Sequence, residues 1–433
     1  MVKMMAKPKQ IQLSVDELPK YWYNILPDLP EPLPPEIVPD QLKEKMDKIY
    51  KARIKACMAQ EHSNERHIPI PEEVMDLYIG AGRPTTLCRA LRLEKFLKTP
   101  ARMYYKREDL NPTGSFKMCT ALPQAYYAAE EGAEGLCTAT GAGQWGTAVA
   151  YAAAMTGLKS KIFWVRKAYE WKKERRAFMK IYGADVVPSP SNVTELGRTL
   201  LNEKPDHGGS DSIATAEATE YAIEHGYARV VGSFFNHVIL HDTIIGLETM
   251  KQLELVDEKP DIMVSCCGAG SNFPGFTFPF MQKVLKGELK CKFVAVQSEA
   301  APTLIKGKYT YDYQTYSELP PLFKMYTLGH KFEIPEIYAE GLRETCTSPI
   351  VSLLRHKGLI DAVAYPVDEK AIFEAAKVFV STEGFLPAVE AAYSIRGAID
   401  EAIKCKKTNE KKVIVFNVTG HGFLDLPAYI KFL

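Results

Sequence analysis

The sequence predicts an α/β fold built on parallel sheets, and three observations carry that prediction. Short apolar, β-branched runs alternate with longer segments of helical period over most of the chain. Several of the short runs are apolar without alternation, the pattern of strands covered on both faces. Glycine-rich turns stand repeatedly between such a strand and the helix that follows it.

Taken in order, residues 1–39 end in LPDLPEPLPPEIVP, where proline blocks regular helix and predicts an extended path along the surface. Tyr21, Trp22 and Tyr23 precede it and imply that it packs down. DQLKEKMDKIYKARIKACM (40–58) has helical period with a charged face. ARMYYKRED (101–109) reads as a strand and FKMCTALPQAYYAAEEG (116–132) as a helix ended by Gly132. GLCTAT (135–140) is a strand, GAG a turn, and QWGTAVAYAAAMTG (144–157) a helix. KSKIFWVRK (159–167), KKERRAFMKIYG (172–183) and ADVVPS (184–189) continue as strand, helix, strand. Further on, DIMVSCCG (261–268), KFVAVQSE (292–299) and KVIVFNVTG (412–420) fit buried parallel strands, which right-handed crossovers would connect.

Composition narrows the function classes. Lys plus Arg number 54 against 53 Asp plus Glu, so there is no electrostatic footing for nucleic acid or an anionic membrane. No apolar run approaches the ~18 residues of a membrane span, and MVKMMAKPKQ lacks the apolar stretch of a signal peptide. A cytoplasmic location is the expectation. The cysteine count of nine is odd and contains no CxxC, which predicts free thiols, with Cys266 and Cys267 as small core residues. His62, His67 and His330 read as surface residues. His237 and His241 are spaced i,i+4, but no HExxH glutamate accompanies them, so no metal is expected. A GxSxG elbow is absent.

Four motifs are placed to carry chemistry, although each alone also fits an ordinary turn. NPTGSFK (Asn111 to Lys117) follows a strand and opens a helix, and a lysine desolvated there can form a Schiff base. ATGAGQWG (Ala139 to Gly146) presents Thr140, Gly141, Ala142 and Gly143 as an anion cradle at a helix N-terminus. GAGSN (Gly268 to Asn272) offers main-chain donors with the Ser271 and Asn272 side chains. It does not complete GxGxxG, because residue 273 is Phe. NVTGHG (Asn417 to Gly422) puts the Thr419 hydroxyl at the C-terminal end of a strand.

Together and in this order the motifs resemble the β chain of tryptophan synthase, in particular its second branch. The resemblance spans nearly the whole chain. WYNILPDLPEPLPP (22–35), RPTTLCRALRLEK (83–95), YGADVVPSPSNVTELGR (182–198), VVGSFFNHVILHDTIIGLE (230–248), LPPLFKMYTLGHKFEIPEIYAEGLR (319–343), TEGFLPAVEAAYS (382–394) and GHGFLDLPAY (420–429) all take part. It implies the pyridoxal phosphate (PLP) dependent fold type II: two α/β domains with parallel sheets, residues 1–82 plus 118–230 and residues 83–117 plus 231–433. It also implies that Lys117 holds PLP and moves the Cα proton, that Gly268, Ala269, Gly270, Ser271 and Asn272 grip the phosphate, and that Glu390 and Thr419 lie near the ring. Thr140, Gly141, Ala142, Gly143 and Gln144 would grip the substrate carboxylate. Thr419 stands where the family usually has serine beside the ring nitrogen. A neutral hydroxyl there favours β-elimination over transamination. A homodimer is implied, a stable α-subunit complex is not, and a monovalent cation site is common in the family.

Departures from the family pattern sit beside the chemistry. The family reads Glu-Thr-Gly-Ala-Gly-Gln where this chain begins with Ala139, and alanine cannot give a departing hydroxyl its proton. The histidine of the family's GSHK is Phe116. Tyr-His-Gly after GLR becomes Glu344, Thr345 and Cys346, and the histidine three places after Glu390 becomes Tyr393. Two enzymatic readings follow: joining L-serine to indole with another group replacing the glutamate, or β-substitution or elimination on an activated serine such as O-phosphoserine, whose phosphate Arg343 or Lys167 would bind. A reading of another class is a non-catalytic PLP- or amino-acid-binding regulatory protein, against which the lysine argues.

Overall fold

The computed structural model describes residues 9–433. Two sheets organise it. The larger has the strand order Gln10–Ile11, Leu87–Arg89, Arg102–Arg107, Val413–Val418, Ile262–Cys266, Lys292–Ser298, Asp361–Tyr365. Its first two pairings are antiparallel and the remaining four are parallel. The smaller sheet is parallel throughout, ordered Asp185–Ser189, Lys159–Val165, Gly135–Thr140, Ala228–Arg229. The runs expected to be buried parallel strands are so: every residue of Ile262–Cys266, Gly135–Thr140 and Val413–Val418 is buried.

The prediction was incomplete. The helix expected over 40–58 is broken into Lys43–Lys51 and Lys55–Glu61. The Ala52 carbonyl accepts a hydrogen bond from the Arg229 N–H, and Arg53 bridges in register with Arg229 at the edge of the smaller sheet. Sheet pairing there takes backbone groups that a continuous helix would use. The antiparallel hairpin Lys308–Tyr313 with Leu322–Thr327 and the edge strand Asp361–Tyr365 are additional. The proline-rich stretch runs without regular structure apart from a short turn, and Ile37 bridges to Leu322. The aromatic residues before it hold it down: Trp22 and Tyr23 are buried on a strand paired with His67–Pro69.

A charged cluster lies inside the larger sheet's cover. Lys106 donates to the Thr85 carbonyl at 2.7 Å, Glu248 at 2.7 Å and Gln252 at 2.9 Å. Arg83 bonds Glu248 and Glu108, each at 2.9 Å. All five side chains are buried, so each ion is paid for only by its partners. The cluster ties Arg102–Arg107 to the helix Asn236–Glu254, and both elements lead into the site.

All nine cysteines are free, eight of them buried. His62 and His67 are exposed as expected. His330 is not: it is half-buried, bonded to Asp312 at 2.5 Å. His237 and His241 face different partners. His237 Nδ1 meets Glu61 at 2.6 Å, while His241 is buried between Thr120 (3.1 Å) and Gln60 (2.9 Å). No helix among the described residues is long and apolar enough to cross a membrane.

Candidate active site

Four loops leave the C-terminal ends of parallel strands and converge, as ligand-binding loops do in α/β sheets. They follow Arg102–Arg107, Gly135–Thr140, Ile262–Cys266 and Val413–Val418. Between them lies a cavity of about 520 Å³, within the ~300–1,000 Å³ usual for small-molecule sites. Of the residues singled out above as cofactor- or substrate-binding, all line it except Gly143 and Lys167.

The loop carrying Lys117 is built by Asn111. Its Oδ1 accepts from the Thr113 and Ser115 N–H groups, and its Nδ2 donates to the Glu108 and Ser115 carbonyls. Gly114 has φ +65°, and a Cβ there would stand 2.1 Å from the His421 ring, so the turn requires glycine. The first and fourth motifs then zip together, with Phe116 N–H on the Thr419 carbonyl at 3.0 Å and His421 N–H on the Gly114 carbonyl at 3.0 Å.

Lys117 is the N-cap of the helix Met118–Glu130. Its Nζ donates to Ser271 Oγ at 3.1 Å and to the Gly232 carbonyl, and lies 4.8 Å from the centre of the Phe116 ring. Burial holds its pKa below the ordinary lysine value, against the opposing pull of Asp242, Glu344 and Asp211. Phe116 therefore offers an aromatic face to the amine in a place where it cannot hydrogen-bond an anion.

The glycine turn 268–271 leads into the helix Asn272–Leu285. Gly270 has φ +95°, and a Cβ on Gly268 would meet the Gly341 carbonyl at 2.6 Å. The Asn272 side chain does not point at a ligand. It donates to Ser265 Oγ at 2.6 Å and the Cys266 carbonyl at 3.1 Å, and accepts from Asn417 at 2.5 Å. What residue 272 has to offer an anion is its backbone N–H at the helix start.

Across the cavity, the helix Gln144–Thr156 opens at Gly143, φ +92°, without a side-chain cap. The N–H groups of Gln144 and Trp145 at its start are thus left for a ligand. Gly143 is set back behind the turn, where a Cβ would strike Arg175 and Trp164 at 2.5 Å. The turn is braced by Trp164 Nε1 on the Gly141 carbonyl at 2.7 Å and Thr140 Oγ1 accepting from Gly146 N–H at 3.2 Å. Glu390 accepts from Gln144 Nε2 and from Gly341 N–H, both at 3.0 Å, and so links this turn to the 340–345 segment. Burial raises its pKa.

Three groups came from no motif. Asp211 and Arg229 line the cavity, and Asp242 is fully buried behind Lys117 with neither carboxylate oxygen bonded. Burial pushes Asp242 well above the ordinary carboxylate value. Only the fold assembles them, since they lie in separate segments with no shared spacing. Of the departures, Ala139, Phe116, Glu344 and Thr345 line the cavity, as does Arg343, whereas Tyr393 and Cys346 do not. Tyr393 instead donates to Glu369 at 3.1 Å, whose carboxylate also accepts from the N–H groups of Tyr338 and Ala339. Tyr393→Phe should therefore cost about 1 kcal/mol in urea unfolding and leave turnover near wild type. A selective loss of turnover would show that Tyr393 reaches the site.

Comparison with known proteins agrees with this geometry. The family model described as pyridoxal-phosphate dependent enzyme matches residues 79–420. The chain is 50% identical over 427 residues to tryptophan synthase beta chain 2 of Methanothermobacter thermautotrophicus, covering 98% of each chain. It is 47% identical to the protein of that name from Pyrococcus furiosus, covering 98% of this chain and 95% of the relative. In fold it is similar to the processed form of threonine deaminase isoform 2 from Solanum lycopersicum, with TM-score 0.60 at 19% identity, covering 96% and 99% of the two chains. The cavity fits the cofactor named by the family: a desolvated lysine amine lies 3.1 Å from the serine of a glycine turn at a helix start. From fold, site and relatives alike, this chain belongs to the pyridoxal-phosphate dependent enzymes of fold type II, in the family of the tryptophan synthase β chain.

Proposed function

We propose that the protein is a β-replacing lyase that exchanges the β-substituent of a serine-like amino acid for a nucleophile. The observation that carries this reading is Lys117, a desolvated amine between two anion-binding turns. Bound pyridoxal phosphate supplies the electron sink that acidifies the substrate's Cα–H. The protein's own residues do the rest. The N–H groups of 268–272 and Ser271 would hold the cofactor phosphate, and Glu390 and Thr419 would face its ring. The 140–144 turn holds the substrate carboxylate, and the Lys117 amine takes the Cα proton and returns it. Tryptophan formation from L-serine and indole is the first reaction to test.

A second donor is favoured by Arg343. It lines the cavity, and its buried Nε has no hydrogen-bond partner among the described residues, so an anionic leaving group such as the phosphate of O-phospho-L-serine would complete its bonding. Lys167 does not serve, because it pairs with Glu336 and is not among the lining residues.

Stopped-flow absorbance of the holoenzyme mixed separately with the two donors tests both. A new visible band with L-serine that indole abolishes, with tryptophan as product, is the result expected of the first reading. A band with O-phospho-L-serine alone would assign the activated donor, and no response to either would refute β-replacement. A division into domains 1–82 plus 118–230 and 83–117 plus 231–433 is part of the same proposal, supported by the smaller sheet falling in the first and the larger sheet, apart from Gln10–Ile11, in the second. The same reading carries a cytoplasmic homodimer without a stably bound α subunit.

A further inference from the structure

We infer that Glu344 is the catalytic acid and base of the β-carbon step, protonating the departing β-oxygen and then accepting the proton released by the incoming nucleophile. The inference rests on the β-replacement reading above.

Five carboxylates line the cavity: Asp211, Glu333, Glu340, Glu344 and Glu390. Three are already committed or remote. Glu390 is bonded to Gln144 and to Gly341 N–H, Glu340 pairs with Lys172 at 3.3 Å, and Glu333 is exposed at the mouth. Asp211 and Glu344 have no hydrogen-bond partner among the described residues, although both lie largely out of solvent. A half-buried carboxylate facing a cavity with no bond from the protein is poised for a ligand or for proton transfer.

Position separates these two. Asp211 Oδ1 lies 3.3 Å from where a Cβ of Gly141 would stand, over the turn proposed for the substrate carboxylate. Glu344 Cγ lies 3.3 Å from where a Cβ of Gly268 would stand, on the cofactor side of the same cavity. Charge separates them further. Arg229 and Lys117 favour the ionised form of Asp211, which otherwise is raised by burial. Burial, with the charge of Asp211 added, pushes Glu344 up to about 8, opposed by Lys117. The groups facing Glu344 are thus Asp211, Lys117 and the buried Cys346 thiol, with Arg229 next to Asp211. With its pKa pushed up to about 8, Glu344 keeps its proton at neutral pH, and Asp211 acts as a positioning residue beside it. Hydroxide is a poor leaving group, and Ala139, which also lines the cavity, has no proton to give.

The balance is complete within the site. Lys117 Nζ takes the Cα proton, the Cβ–O bond breaks with its electron pair on oxygen, and the Glu344 proton converts that oxygen to water. When the nucleophile bonds to Cβ, its proton returns to Glu344 and the Lys117 proton returns to Cα. Serine and H–X become the substituted amino acid and water.

The test compares wild-type holoenzyme with Glu344→Gln, Glu344→Asp and Asp211→Asn, using L-serine and β-chloro-L-alanine, whose chloride leaves without a proton. Glu344→Gln should slow loss of the β-substituent from L-serine by about 10²–10⁴-fold and from β-chloro-L-alanine only a few-fold. Glu344→Asp should recover part of the serine rate. The wild-type serine rate should fall as pH rises through about 8, where the acid form is lost, and this limb should vanish in Glu344→Gln but only shift in Asp211→Asn. Independently of turnover, an infrared band of a protonated carboxylic acid should bleach over the same pH range in wild type and be missing in Glu344→Gln. Equal slowing with both donors, or a pH limb that follows Asp211 instead, overturns the assignment. A wild-type cofactor band that responds to no amino acid overturns it together with the β-replacement reading.

Discussion

Lys117→Arg and Lys117→Ala should each lower turnover by at least about 10³-fold while leaving the thermal midpoint close to wild type. Lys117 is the N-cap of its helix but makes no side-chain cap bond, so the helix does not depend on the lysine. The amine's two contacts, Ser271 Oγ and the Gly232 carbonyl, both belong to the cavity. Burial lowers the pKa of the amine, which raises the fraction that is neutral and nucleophilic at neutral pH. Arginine keeps the charge but stays protonated throughout this range, so it offers no neutral amine to a carbonyl. Conservation of charge therefore should not conserve function. Borohydride reduction followed by peptide mapping gives a readout separate from rate. The cofactor's mass should appear on the peptide containing Lys117 in wild type and on no peptide in the arginine variant. Attachment at any other lysine would refute the assignment.

Much of this site was legible because its parts are local. A glycine turn between strand and helix is written in consecutive residues, and parallel topology sends such turns to one edge of a sheet. Lys117, the 140–144 turn, the 268–272 turn and Thr419 were all found that way. What was hidden depends on long-range placement. Asp211 opens a helix in a segment without a motif, Arg229 ends a two-residue strand, and Asp242 sits mid-helix between His241 and Thr243. Chemical type alone also misled. Asn272 suits a phosphate contact, yet three hydrogen bonds turn its side chain into the sheet. Tyr393 stands one helical turn from Glu390 but points at Glu369. Likewise the helical period of 40–58 is real, but the sheet edge at Arg229 takes the backbone of Ala52 and breaks it.

The buried charge cluster gives the largest expected effect on stability. Lys106→Met removes the cation that Glu248 meets at 2.7 Å and leaves the oxygens of Glu248, Gln252 and Thr85 without their shared donor. Desolvation already lowers the pKa of Lys106, so the partners are what keep it charged. Removing one member of a fully buried set costs about 3–5 kcal/mol, to be read as a lower urea midpoint with an unchanged slope. Because the penalty comes from an uncompensated charge, Lys106→Met combined with Glu248→Gln should cost less than the sum of the two single changes. Strictly additive losses, or a Lys106→Met protein within about 1 kcal/mol of wild type, would mean that the cluster is solvated and weak. The consequence reaches the site. Lys106 lies in the strand that runs into Asn111 and Lys117, and Glu248 lies in the helix that follows Gly232, whose carbonyl holds the Lys117 amine. The cluster thus fixes the distance between the two segments that position the amine. Lys106→Met should lower cofactor affinity as well as stability, even though the cluster does not line the cavity.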